Sequence, residues 1–127
     1  MATGFEIQIM GKTMKAEYLQ DKAPNICKAM SDCSPFSSQA LHAKFAGQEI
    51  IVMVPFYAEP ENEILNVEPG DIGYYPGRQT ICIFYGDTKP FGKVSVFAKV
   101  TEGLEELKEV GNKILEKGVI ALEETDF

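Results

Sequence analysis

The chain has 127 residues and a mass of 14.1 kDa, a length that supports one core and buries roughly two-thirds of its unfolded surface, so residues 1–127 are expected to form one domain. Hydrophobic residues make up 45% and charged residues 24%, which excludes disordered and fibrous classes. A net charge of −7 repels phosphate backbones and argues against nucleic acid, while the lack of any apolar run near the ~18 residues that span a bilayer, and of a leader pattern, argues against a membrane partner and for cytoplasmic residence.

Phe5, Ile7 and Ile9 alternate with Glu6 and Gln8, the period of a strand with one buried face. Gly11-Lys12 reads as a tight turn into a second strand, Thr13 to Leu19, with Met14, Ala16 and Tyr18 on one face. Ala23, Ile26, Cys27 and Met30 then have helical spacing, which predicts a short helix entered through Pro24 and capped by Asp21. Ser31 to Ser38, rich in Ser, Asp and Pro, is expected to be a loop.

Ala40 to Ala46 and Glu49 to Val54 read as strands around a Gly47-Gln48 turn, and the apolar run Ile50 to Pro55 predicts a strand covered on both faces. Phe56 to Pro69 is expected to be a surface excursion with little regular structure. Gly70 to Tyr75, Thr80 to Tyr85 and Lys93 to Val100 are three more strands. A second helix follows with Leu104, Leu107, Val110 and Ile114 as its buried stripe. Gly118 to Glu123 supplies a last strand. The element order β-β-α-β-β-β-β-β-α-β suits a mostly β (α+β), closed, eight-stranded antiparallel barrel with two covering helices, because closure removes exposed strand edges.

Cys27, Cys33 and Cys82 are odd in number and form no C-x-x-C pair, so reduced thiols are expected rather than a disulfide framework or zinc site. One histidine and no cysteine cluster leave no metal-ligand set, and no cofactor is expected. The acids of Glu59 to Glu68 and of the C-terminus read as solvated surface.

Val96 to Leu104, V-F-A-K-V-T-E-G-L, resembles the V-F-G-K-V-x-E-G-M segment of cyclophilins, and Glu17 to Met30, E-Y-L-Q-D-K-A-P-N-I-C-K-A-M, resembles their E-L-F-x-D-K-x-P-x-T-x-x-N-F. Over its whole length the chain is similar to a family of small, uncharacterised prokaryotic proteins of cyclophilin-like fold, through His42 to Phe45, Gly70 to Pro76 (G-D-I-G-Y-Y-P) and Cys82 to Gly86 (C-I-F-Y-G). The resemblance implies a cyclophilin-like barrel.

Cyclophilins isomerise X-Pro bonds, whose barrier of about 20 kcal/mol comes from partial double-bond character. Catalysis there uses an aromatic socket and an arginine that weakens amide resonance as the bond twists. Aligned on V-F-A-K-V, the socket Phe falls on Ile81, the loop Trp on Lys89 and the pocket His on Val94, while the nearest counterpart of the arginine is Lys44. Lysine lacks the planar guanidinium fork, so efficient prolyl isomerase activity is not expected.

What the resemblance leaves is a groove bordered by the His42 and Lys44 face of one strand and by the turn from Tyr74 to Gln79. If Ala40 to Ala46 is a strand, His42, Lys44 and Ala46 share a face. His42 is read either as a hydrogen-bonded structural residue or as an acid/base. Tyr74 and Tyr75 are read as barrel packing or as ligand walls, with Arg78, Gln79 and Ile81 beside them. A small molecule or short peptide is the expected partner, with an anionic or carbonyl-rich ligand suited to His42, Lys44 and Arg78. A weak or specialised isomerase using Lys44, His42 and Arg78 is the alternative, and a homo-oligomer is a further possibility.

Overall fold

The computed structural model describes residues 3–42, 47–75, 79–88, 92–117 and 119–126, with side chains described for all of these except 39 and 114–126. Strands β1 (Gly4–Ile9) and β2 (Lys12–Tyr18) form the expected hairpin, with Ile9 opposite Lys12. Their alternation buries Phe5, Ile7, Ile9, Met14, Ala16 and Tyr18 together.

Helix α1 (Pro24–Cys33) runs three residues past the expected end at Met30 and buries Ile26, Cys27 and Met30. Asp21 does not cap it. The N-cap position falls on Ala23, which has no side-chain cap, and the free N–H groups of Asn25 and Ile26 instead reach the Glu61 carboxylate at 3.3 and 2.8 Å. A capping carboxylate can come from anywhere the fold brings one, and local sequence reads only the local candidate.

Strand β3 (Phe36–His42) starts inside the segment expected to be loop. Strand β4 (Gly47–Met53) already includes Gly47 and Gln48, the expected turn, with Gly47 opposite Thr88; residues 43–46 lie outside the described ones. The excursion after β4 contains a two-residue strand, β5 (Glu63–Ile64), paired with Ser95 and Val94. Then come β6 (Asp71–Tyr75), β7 (Thr80–Thr88), β8 (Val94–Glu102), α2 (Leu104–Lys117) and β9 (Val119–Asp126). Gly103 joins β8 to α2 with φ 90°, and a Cβ there would stand 2.9 Å from Met14 Cγ, so this joint accepts glycine alone without rearrangement.

The nine strands form one antiparallel sheet in the order β2-β1-β9-β3-β4-β7-β6-β8-β5, curled strongly enough for β2 to pair with β8 over Lys15–Tyr18. The expected barrel is met in its antiparallel, curled sheet and two helices, while the described strands number nine rather than eight. The fold is a mostly β, antiparallel, curled sheet with two helices, and its ninth strand, β5, lies on β8 within what the sequence presented as irregular. Two residues of strand are too few for any periodicity to announce them.

The main core fills the concave side, where Leu107 and Val110 of α2 and Ile26, Cys27 and Met30 of α1 join the inward residues of the strands. A second apolar cluster, Cys82, Phe84, Val94 and Val96, lies on the opposite face under Leu19, Ile64, Val67 and Tyr75. The strands covered on both sides are therefore β6, β7 and β8. Strand β4, expected to be covered on both faces, is covered on its outer face at Glu49 and Ile51 and leaves Met53 64% exposed. Ile114, the last residue of the expected stripe on α2, lies outside the described side chains.

Candidate functional site

Tyr74 is fully buried on β6 opposite Ile81, which is also buried. Its ring stacks on Phe56 with centroids 5.0 Å apart. The hydroxyl donates to the Phe56 carbonyl at 3.0 Å and accepts the Ala58 N–H at 3.1 Å. Burial raises the phenol pKa, so it stays protonated and able to donate. Tyr74 thus bolts the start of the 56–69 excursion to the sheet. Tyr75, one residue on, points to the other face and packs on the Cys82 and Phe84 cluster.

Gln79 stands beside Tyr74's partner. Its side-chain amide donates to the same Phe56 carbonyl at 3.2 Å, and its backbone carbonyl accepts the Val54 N–H at 3.0 Å. Arg78 and Lys44, expected as the cations of the site, lie outside the described residues.

His42 ends β3 opposite Ile50, which is itself opposite Ile83 on β7, and Ile83 faces Ile72 on β6. In the sheet, strands β4 and β7 therefore lie between His42 on β3 and Tyr74 on β6, and β4 lies between His42 and Gln79. Its ring sits on the concave side, where Nε2 lies 2.6 Å from the Tyr85 hydroxyl and the two rings meet edge to face. Tyr85 is buried, which raises its pKa. Helix α2 lies directly over it at Gly111, where any Cβ would overlap the Tyr85 ring.

Between β3 and β4 the sheet opens. Their ladder runs from His42/Ile50 to Ala40/Val52 and stops. Continued in register it would set Ser37 against Pro55, whose nitrogen has no hydrogen to give. From there the strands part around an open groove of about 400 Å³ lined by Phe36, Ser37, Ser38, Met53, Val54 and Pro55. At its inner end the Ser38 hydroxyl donates to the Met53 carbonyl at 2.8 Å. Gln79 bonds the β7 side of Val54, on the far side of that strand from β3, and none of the expected site residues that are described lines the groove.

Sequence reading missed Glu49, which is only 5% exposed on β4 beside Phe84. Burial raises its pKa, partly opposed by a hydrogen bond from Cys82, and its Oε1 has no hydrogen-bond partner among the described residues. The alternation of β4 does place Glu49 on the face of Ile51, but nothing local shows that this face is covered. Cys27 donates to the Phe97 carbonyl at 3.3 Å, and burial, with the nearby Glu61 charge, pushes its thiol up to about 12, the opposite of an activated nucleophile. Among the described residues no group of His, Cys, Asp and Glu is placed to hold a metal ion, and no helix is long and apolar enough to cross a membrane.

The family model described as "Protein of unknown function (DUF3830)" matches residues 5–125. The chain belongs to this family. No curated protein is significantly similar to it. Among solved structures, McbB in complex with tryptophan is 17% identical with a TM-score of 0.87, the match covering 96% of this chain and 44% of McbB, so the chain spans less than half of that protein's length. The solution structure of the hypothetical protein AF2241 from Archaeoglobus fulgidus is 24% identical with a TM-score of 0.75, over 99% of this chain and 95% of that one. At these identities the likeness is one of fold. It places DUF3830 among curled antiparallel sheets with covering helices, and the similarity to cyclophilins rests on the sequence motifs alone.

Proposed function

We propose that this DUF3830 protein is a cyclophilin-like barrel that binds a small molecule or short peptide in the groove between β3 and β4, without efficient prolyl isomerase activity. The observation that carries this reading is the parting of the two strands at Pro55, which leaves an apolar opening with Ser37 and Ser38 in its lining. Concave apolar surface with a few fixed polar groups is what small-ligand sites are built from. The β2–β8 pairing supports treating the curled sheet as a barrel. Ile81, which aligns with the socket Phe, is a core residue opposite Tyr74, and this supports the reading without efficient isomerisation.

A specialised isomerase working through His42, Lys44 and Arg78 is the second reading, favoured by the 2.6 Å contact that couples His42 to the Tyr85 phenol.

The test is a methyl NMR titration with free tryptophan, the molecule bound to McbB, and with short apolar peptides, following the exposed Met53 methyl group. Saturable shifts at Met53 that disappear in Phe36→Ala/Ser38→Ala protein, which keeps the Met53 methyl group, are expected. Unmoved Met53 with every probe overturns the reading. In a protease-coupled assay on an X-Pro peptide, little acceleration over the spontaneous reaction is expected. Turnover at the level of ordinary cyclophilins, lost in His42→Ala or Lys44→Ala protein, would establish the second reading instead.

A further inference from the structure

We propose that the groove takes one class of ligand, an extended peptide segment flanked by basic residues, which adds its main chain to the edge of β3 at Ser37. This inference rests on the proposed binding groove and names its occupant.

The backbone directions along β3 and β4 decide it. Val54 gives its N–H to Gln79 on the β7 side, so Val54 and Val52 point their peptide groups toward β7 while Met53 and Ile51 point theirs toward β3. Across the ladder, Leu41 faces Ile51, and residues 39 and 37 follow at the same period. The peptide N–H and C=O of Ser37 therefore point into the groove, away from β9, with which β3 pairs from Phe36 to Leu41. Pro55 is the residue that register would place opposite, and it has no N–H to offer. An edge residue whose partner position is held by proline is a docking point for another strand, with main-chain bonds giving affinity and side-chain contacts giving selectivity.

The side chains set that selectivity. Phe36, Met53, Val54 and Pro55 offer apolar contact to one or two residues of the incoming segment, on the alternating period of a strand. Just past Pro55 stand Tyr57, 61% exposed, and the exposed Glu59. The Tyr57 hydroxyl donates to Glu59 Oε1 at 3.5 Å, and this exposed aromatic and carboxylate pair, two and four residues past Pro55, favours a lysine or arginine flanking the apolar residues. The net charge of −7 attracts such a peptide from a distance.

The probe is a fluorescein-labelled peptide of sequence Lys-Val-Leu-Val-Lys, read by anisotropy, with Met53 methyl shifts locating the site. Methylation of alternate backbone amides of the probe is expected to weaken binding at least tenfold, since it removes main-chain donors and leaves the side chains unchanged. Pro55→Val restores an N–H opposite Ser37, lets the β3–β4 ladder extend and close the groove, and is expected to weaken binding by a similar factor without lowering the melting temperature. Equal affinity for the methylated probe, binding that leaves Met53 unmoved, or full binding by folded Pro55→Val protein each overturns strand addition. If tryptophan shifts Met53 and the peptide does not, the groove stands as a small-molecule site and this inference fails. If no probe moves Met53, the groove itself is the wrong assignment.

Discussion

Glu61 accepts the backbone N–H of Ile26, 35 residues earlier in the chain, at 2.8 Å, and so holds the excursion after β4 against the first turn of α1. Its own N–H goes to Ser95 Oγ at 3.1 Å, and Asn62 next to it exchanges bonds with Val96. One side chain thus ties a helix, a long connection and β8 together. Glu61→Ala is expected to cost about 1 kcal/mol, the usual worth of a lost N-cap, and to speed amide exchange at Asn25 and Ile26 ahead of the rest of α1. Unchanged exchange at those two amides would show that the cap contributes nothing.

Tyr74 holds the other end of the same excursion. Tyr74→Phe keeps the ring stacked on Phe56 but leaves the buried Ala58 N–H without its acceptor, a loss of about 1–3 kcal/mol. Urea denaturation measures it. A change within a few tenths of a kilocalorie would mean that water replaces the phenol.

Helix α2 is seated by a missing side chain as much as by its apolar stripe. Leu107→Ala is expected to cost about 2–5 kcal/mol, the range for truncating a buried leucine. Gly111→Ala, a mild change on an exposed helix, should here cost about 1–3 kcal/mol as an overpacked contact with Tyr85. In the double variant Gly111→Ala/Tyr85→Leu most of that second loss should return. If it does not, the close approach of α2 to Tyr85 is not what makes the glycine necessary.

Two buried acids shape the pH dependence, and both favour the neutral form in the folded state. For Glu49, whose folded pKa is raised by burial, the folded protein is favoured below the ordinary carboxylate range and loses that advantage as pH rises through the folded value. For Cys27 the window is from 9.0 to about 12, where the unfolded thiol ionises first and stability falls. Glu49→Gln should flatten the stability profile on the acidic side, and Cys27→Ala should flatten it on the alkaline side. Parallel curves for wild type and variants in these windows would refute the assignments.

Much of the scaffold was legible because it is written in periods. Alternation in Phe5–Ile9 and helical spacing in Ala23–Met30 report which face is buried, and those faces are the buried ones. Boundaries set by distant partners were not legible: the cap of α1 comes from Glu61, and β3 begins at Phe36 because β9 lies beside it. The site read from sequence lay between the His42 and Lys44 face and the Tyr74 to Gln79 turn, and the sheet sets β4 and β7 between the strands that carry His42 and Tyr74, an order no local pattern contains. The groove that does form has a local mark, Pro55 after a strand, but its meaning depends on a register with Ser37 that no single segment contains.

The pairing of Phe5 with Asp126 has a consequence for synthesis on the ribosome. Strand β1 is made before the other described strands, yet one of its two neighbours, β9, is made after all of them, and β3 waits for that same neighbour along Phe36–Leu41. Until β9 emerges, two edges stand open in a nascent chain that already displays most of its apolar residues. Such late, long-range closure slows folding and exposes edges to other chains. Growth temperature and translation rate should therefore alter the yield of folded protein more than single surface substitutions do, since the vulnerable interval is the wait for β9.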